Sequence, residues 1–77
     1  MNEFILAMIR GLIEQASIET VVTGRSLYKR FEDYAKGQSV ELDSVLGVPI
    51  RKSKLLGPND IHLYQVNGHI IKASFPT

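Results

Sequence analysis

The chain contains no cysteine and no tryptophan, and its charge is almost balanced, with a formal net charge of +1 at pH 7. The lack of cysteine excludes disulfides, zinc–thiolate sites and a cysteine nucleophile. It also suits a reducing compartment, so we expect a cytoplasmic protein. Because the net charge is small, binding to nucleic acid or to an anionic membrane requires a local cluster of charge.

The sequence also lacks a long hydrophobic run. The N-terminal apolar segment, residues 4–9, follows Glu3 and ends at Arg10. A membrane span needs about 20 apolar residues, and a signal peptide needs a basic segment before its apolar region. We therefore expect a soluble, unprocessed chain with no membrane contact. Its 77 residues predict a single domain, residues 1–77, with little room for a deep catalytic cavity.

Motifs for catalysis and for metal binding are missing as well. His62 and His69 fall on one face of a predicted hairpin, about 13 Å apart, which is too far to share a metal ion. The serines lie in no nucleophile motif, and Gly24-Arg25-Ser26 lacks the second glycine and the Lys-Ser/Thr ending of a phosphate-binding loop. We therefore predict that the protein is not an enzyme and uses no metal, cofactor or small-molecule substrate.

The clearest structural signal is Asn67-Gly68 between two runs of strand-forming residues, over residues 61–75. This pair is typical of a type I′ turn with a two-residue loop, so it predicts a β-hairpin at the centre of the sheet. The register that follows pairs Val66 with His69, Tyr64 with Ile71, and His62 with Ala73. We expect the face that carries these pairs and Phe75 to lie on the core.

Two helices are predicted before the hairpin. The first covers residues 2–17, with Asn2 as its N-cap and an apolar arc of about 200°. The second covers residues 24–36, capped by Thr23 and closed by Gly37. The β-branched residues 18–24 between them suit a connector, a short strand or an extension of the first helix, and we favour the connector.

The remaining segments complete an α+β fold. Residues 38–47 suit either extended chain or one helical turn, and we favour a short helical turn. Residues 48–52 form a strand whose Pro49 suits a sheet edge or the start of a strand. A turn at residues 57–60 leads into the hairpin. The predicted architecture is two helices packed on a small antiparallel sheet of one strand plus the Asn-Gly hairpin. The order is helix, helix, short turn and three strands.

The apolar arc of the first helix predicts a protein-binding surface, because a stripe little over ~100° wide suffices to meet one core. The edge that remains exposed is either Phe4 with Met8 or Leu6 with Ile13, unless residues 40–56 wrap over it. The favoured function is therefore a small non-enzymatic regulator, adaptor or inhibitor. Its partner is a larger protein or a second copy of the chain in a homodimer.

The basic residues suggest an alternative from another class. Three of them lie within about 40° of one another on the second helix, namely Arg25, Lys29 and Lys36. Three more follow on the first predicted strand and its loop, namely Arg51, Lys52 and Lys54. If the two clusters come together near Tyr28, they form a nucleic-acid-binding surface.

Overall fold

The computed structural model describes residues 3–75. The elements in chain order are α1 (Glu3–Gln15), β1 (Ile18–Thr23), α2 (Arg25–Gly37), α3 (Leu42–Leu46), β2 (Ile50–Lys52), β3 (Asp60–Gln65) and β4 (Ile70–Ser74). These described residues form an α+β fold of three helices and a four-stranded mixed sheet with the strand order β2-β1-β3-β4. The predicted α+β class is confirmed.

The predicted three-stranded antiparallel sheet is wrong, because it misses β1. Residues 18–23 form an inner strand, parallel to β2 on one side and antiparallel to β3 on the other. The preference for a connector was therefore incorrect. A run of β-branched residues fits a strand that has neighbours on both sides, since those side chains pack well on a pleated surface.

The hairpin forms between β3 and β4, but its loop is longer than predicted. The Gln65 N–H donates to the His69 carbonyl at 2.8 Å, and the Gly68 N–H donates to the Gln65 carbonyl at 3.0 Å. Gly68 has a φ of 90°, whereas Asn67 does not have a positive φ. A type I′ turn requires positive φ at both residues, so that assignment is wrong. A type I turn followed by a left-handed glycine accounts for the loop.

This loop shifts the strand register by one residue from the prediction. Tyr64 pairs with Ile70 instead of Ile71, and His62 pairs with Lys72 instead of Ala73. Since successive side chains point to opposite faces, a one-residue shift changes which side chains share a face.

The two faces of the sheet therefore carry different residues from those predicted. The inner face lies under the helices and buries Val21, Thr23, Ile50, Ile61 and Leu63. The predicted core residues His62 and Tyr64 lie on the opposite, outer face and are half-buried. Aliphatic side chains gain most from burial, whereas a tyrosine or histidine at the surface keeps its polar atoms in water.

One hydrophobic cluster joins the helices to the inner face. The helices contribute Leu6 and Ile9 from α1, Leu27, Phe31 and Ala35 from α2, and Val45 and Leu46 from α3. Fully burying one such large apolar side chain contributes about 1.5–3 kcal/mol, so this cluster is the main source of stability. All the buried strand residues of the cluster lie on the inner face or at the start of β1.

The helix ends differ from the prediction in several ways. The predicted N-cap Asn2 lies outside the described residues, and α1 ends at Gln15, before Ser17 takes a left-handed φ of 53°. The N-cap of α2 is Gly24, because Thr23 is the last residue of β1 and is buried. The left-handed residue after α2 is Ser39 instead of Gly37.

Ser39 closes α2 with a Schellman motif. The Ser39 N–H donates to the Lys36 carbonyl at 3.2 Å, and the Val40 N–H donates to the Ala35 carbonyl at 3.1 Å. These two bonds satisfy carbonyls that the last helical turn leaves without partners. The chain therefore turns sharply toward α3.

The predicted short helical turn is confirmed as α3, and the predicted strand is confirmed over its second half as β2. Gly47 ends α3 in a left-handed conformation with a φ of 80°. β2 is an edge strand, as the proline predicted, and the Pro49 carbonyl accepts the Val21 N–H at 2.9 Å. Asp43 connects the two elements, because its carboxylate accepts the Ile50 N–H at 3.2 Å.

Candidate nucleic-acid interface

The candidate interface is built where α2 begins. The Gly24 N–H donates to the Asp60 carbonyl and the Leu27 N–H to the Pro58 carbonyl, both at 3.0 Å. On the other side, the Ser53 N–H donates to the Thr23 carbonyl at 2.9 Å. These bonds hold the first turn of α2 between the end of β2 and the turn at residues 57–60.

Only glycine fits at the point of closest approach. A Cβ atom on Gly24 would lie 1.7 Å from the Gly57 carbonyl oxygen and 2.7 Å from its carbon. Both atoms belong to the backbone, so no side-chain rotation relieves the clash. The glycine is needed here for space, since its own φ of −71° is ordinary.

A groove opens beside this contact and carries positive charge. Its volume is about 470 Å³, and its lining residues are Arg25, Lys52, Ser53, Lys54, Leu56 and Pro58. No carboxylate lies among them. A second depression of about 380 Å³ shares Arg25 and Lys52 with the groove and adds Ser26, Tyr28, Lys29 and Glu32. We call the two together the basic groove, with Arg25, Lys29, Lys52 and Lys54 as its cations.

Tyr28 forms part of the floor between these cations. The Lys52 Nζ atom lies 5.5 Å from the centroid of the Tyr28 ring, within the range of a cation–π contact. The ring is half-buried and the lysine is exposed. The Lys52 side chain therefore extends over α2, although it belongs to the neighbouring strand.

Two lysines of α2, one of them in the groove, pair weakly with carboxylates on the same helix. Lys29 lies 3.7 Å from Asp33, and Lys36 lies 3.9 Å from Glu32. Both lysine side chains are about three-quarters exposed, at 74% and 75%. Exposed ion pairs of this kind contribute only about 0–1 kcal/mol and are screened by salt. They leave the lysines able to exchange a carboxylate for a phosphate.

The structure brings together four of the six basic residues that the sequence singled out. Arg25, Lys29, Lys52 and Lys54 line the basic groove. Lys36 lies near the other end of α2, in the last turn. Arg51 points away from its neighbour Lys52, because adjacent strand residues face opposite sides. Its side chain therefore belongs to the outer face of the sheet.

The predicted protein interface on α1 also separates into buried residues and exposed residues. Leu6 is only 3% exposed and belongs to the core, whereas Phe4 and Met8 are 72% and 40% exposed. Ile13 is half-buried and packs against the core. The exposed edge is therefore the one with Phe4 and Met8.

The edge of α1 that includes Ile13 is covered by α3. Arg10 Nε donates to the Val45 carbonyl at 2.8 Å, which fixes the short helix against α1. Ile13 lines a shallow depression together with Val45 and Leu46. The competing prediction, in which residues 40–56 wrap over α1 and leave no patch, agrees only with the contact between α3 and α1, because Phe4 and Met8 stay exposed. It is wrong for Leu55, which is 96% exposed.

Sequence reasoning missed the outer face of the sheet. One cross-strand row on this face carries Arg51, Val22, His62 and Lys72. The next row carries Thr20, Tyr64 and Ile70. The usable signal was the richness of residues 18–23 in β-branched side chains, which is typical of a strand.

Asp60 stands at one end of the outer face and is held in place by hydrogen bonds. Its carboxylate accepts bonds from the Ser74 hydroxyl and, at 3.0 Å, from the Gly57 N–H. These bonds hold the pKa of Asp60 below its usual value, with the Ser74 bond as the largest cause, and the nearby His62 contributes in the same direction. The Asp60 carboxylate therefore links β3 to β4 and to the turn at residues 57–60.

The two histidines lie in different parts of the hairpin. His62 lies on β3, whereas His69 lies in the chain between the hairpin loop and β4. Within residues 3–75, no three His, Asp or Glu side chains are grouped so that they could hold a metal ion.

Comparison of the chain with protein-family models, with curated proteins and with solved structures gave no significant match. In the described part of the chain, no helix combines the length and the apolar character that crossing a membrane requires. The functional assignment below therefore depends on the geometry of the described residues.

Proposed function

We propose that the protein is a non-enzymatic nucleic-acid-binding module whose basic groove contacts the phosphate backbone. The supporting observation is the convergence of Arg25, Lys29, Lys52 and Lys54 around one opening. The overall charge of +1 gives no general attraction to polyanions, so this concentration of cations distinguishes one surface from the rest.

The shape and composition of the groove suit a phosphate backbone better than a small molecule. It is open to solvent, and the long, flexible side chains of Arg25, Lys52 and Lys54 make up half of its lining, so it does not enclose a small ligand. Lysine and arginine contacts to phosphates release counterions, which makes such binding depend steeply on salt. Four contacts on a duplex would give a slope of log affinity against log salt of about −3 to −4.

The test is fluorescence anisotropy with a labelled random-sequence duplex, at ~50 mM and ~200 mM salt. Lys52→Gln should weaken binding to every sequence and reduce the magnitude of the salt slope by about 1. Lys72→Gln is the matched control, because it removes the same charge from an exposed lysine on β4 that lies outside the groove lining. Equal effects of the two substitutions, or no binding by the wild type at the lower salt, would rule out the groove.

We propose protein binding through α1 as a second candidate function. Met8 is 40% exposed one turn away from Phe4, so this edge of the helix presents apolar surface to solvent. The simplest partner is a second copy of the chain, as a dimer with two-fold symmetry. Light scattering after size exclusion tests this: a wild-type dimer that Met8→Glu converts to a folded monomer supports it, and a wild-type monomer at high concentration excludes the homodimer.

A further inference from the structure

We propose that the outer face of the sheet binds single-stranded nucleic acid, with bases stacked on Tyr64 and His62 and phosphates held by Arg51 and Lys72. The proposal rests on the proposed function. It extends that function from contact with phosphates to preference for single-stranded over double-stranded nucleic acid. The basic groove cannot make this choice by itself, since phosphates are common to both.

The first observation is that the outer face is uncovered. Within residues 3–75, every buried helix side chain belongs to the cluster on the inner face. On the outer face Arg51 and Lys72 are exposed, and Ile70 is 43% exposed. The rings of His62 and Tyr64 are half-buried between their neighbours on the sheet. The sheet therefore offers an accessible surface with two rings near its centre.

The second observation is the spacing of the rings. His62 and Tyr64 are two residues apart on β3, so both lie on the outer face, with their Cα atoms about 7 Å apart. Bases of a single strand can be splayed onto such rings, whereas the bases of a duplex are stacked on each other and have no free face. Two adjacent rings thus discriminate in favour of a single strand.

The third observation is the charge around the rings. Arg51, Val22, His62 and Lys72 are cross-strand neighbours in one row, so the Cα atoms of the two basic residues lie about 14 Å apart, with His62 between them. Asp60, the carboxylate at one end of this face, already accepts bonds from Ser74 and Gly57. The row is therefore complementary to a polyanion that crosses the strands.

The fourth observation is that the outer face continues the basic groove. Arg51 and Lys52 are consecutive on the edge strand β2, with Lys52 over Tyr28 on the helix side and Arg51 on the outer side. A single strand of nucleic acid that leaves the groove over this edge of the sheet reaches Arg51 first and then the rings of His62 and Tyr64. We infer one continuous path from the groove onto the sheet.

The experiment uses Tyr64 as its own reporter. The chain has no tryptophan and three tyrosines. The double substitution Tyr28→Phe and Tyr34→Phe keeps an aromatic ring at both positions. It leaves Tyr64 as the single strong fluorophore that emits above ~290 nm. Oligothymidylate of about 12 nucleotides matches the footprint of one small domain. It should quench the tyrosine emission on binding, and a duplex of the same length should not.

Substitution of the ring provides the second readout. Tyr64→Leu keeps an apolar side chain on the sheet but removes the ring, and it should weaken binding of the single strand roughly 5- to 150-fold. Tyr64→Phe keeps the ring and should retain the affinity. Binding of the duplex through the groove should be unchanged in both variants, and thermal melts check that both are folded.

The outcomes separate this proposal from the proposed function. Duplex binding without quenching by the single strand, or with no loss of affinity in Tyr64→Leu, overturns the stacking face and leaves the groove intact. Failure to bind either oligonucleotide overturns both. Emission that changes with protein concentration alone would assign the outer face to a second copy of the chain, and it would also overturn the proposal.

Discussion

The basic groove and the exposed edge of α1 are both surfaces that the sequence suggested, but they depend on different levels of structure. The edge of α1 follows from helical periodicity within residues 3–15. The groove brings Arg25 beside Lys52 and Lys54, which are far apart in the chain. It therefore exists only if β1, α2 and β2 adopt their observed arrangement.

This difference explains which predictions were accurate. Periodicity correctly limited the exposed part of α1 to one of two edges, although only packing of α3 decided between them. For the groove, the sequence identified the cations but could not identify which of them converge. Parallel pairing of β2 beside β1 puts Lys52 over α2 and turns Arg51 away.

The largest expected effect distinguishes buried from exposed positions on α1. Leu6→Glu puts a carboxylate into the core and should destabilise the protein by more than about 3 kcal/mol. Met8→Glu, two residues away on the exposed edge, should change stability by only about 0.5 kcal/mol. Urea denaturation followed by circular dichroism measures both. Similar losses in the two variants would show that Met8 is as much a core residue as Leu6.

A second test concerns the contact that shapes the groove. Gly24→Ala should cost about 1–3 kcal/mol or more, because its Cβ overlaps the Gly57 carbonyl and the backbone must move. Gly11→Ala is the matched control: it is helical, meets nothing within 4 Å, and should stabilise α1 by up to about 1 kcal/mol. If both alanines are tolerated equally in thermal melts, the close approach does not exist.

The strands show why part of the fold was not predictable from local signals. Residues 18–23 are too short for clear periodicity, and they become a strand because β2 and β3 pair with them on both sides. The Asn67-Gly68 pair fits both a two-residue loop and a three-residue loop that ends in a left-handed glycine. The choice between them shifts the partners of His62 and Tyr64 by one residue, so the face that carries these two rings was assigned to the core.

A smaller, pH-dependent effect is expected at Asp60, which ties β3 to β4 and to the turn beside the groove. Its pKa is lowered in the folded protein, so its contribution to stability is present above the ordinary carboxyl pKa. That contribution is lost as the pH falls through the folded-state pKa. Asp60→Asn should therefore be less stable than the wild type at neutral pH, and the difference should shrink in acid.

Thermal melts of wild type and Asp60→Asn between neutral and acidic pH test this expectation. Glu41→Gln serves as the control, because it removes a carboxylate that makes no side-chain capping bond at α3. A constant difference between Asp60→Asn and wild type across the whole pH range would mean that the Ser74 and Gly57 bonds do not favour the charged carboxylate.

The smallest effect should appear in the groove itself, at its one lining carboxylate. Glu32 lies beside Lys29 and Lys52 in the second depression, where it opposes a phosphate. Glu32→Gln should strengthen duplex binding about 1.5- to 5-fold, the range of one exposed charge interaction of ~0.2–1 kcal/mol, and salt should screen the gain. Glu41→Gln raises the net charge equally but lies at the N-cap of α3, outside the groove lining. If it strengthens binding as much as Glu32→Gln, affinity follows the total charge of the protein, and the groove is not where the phosphates bind.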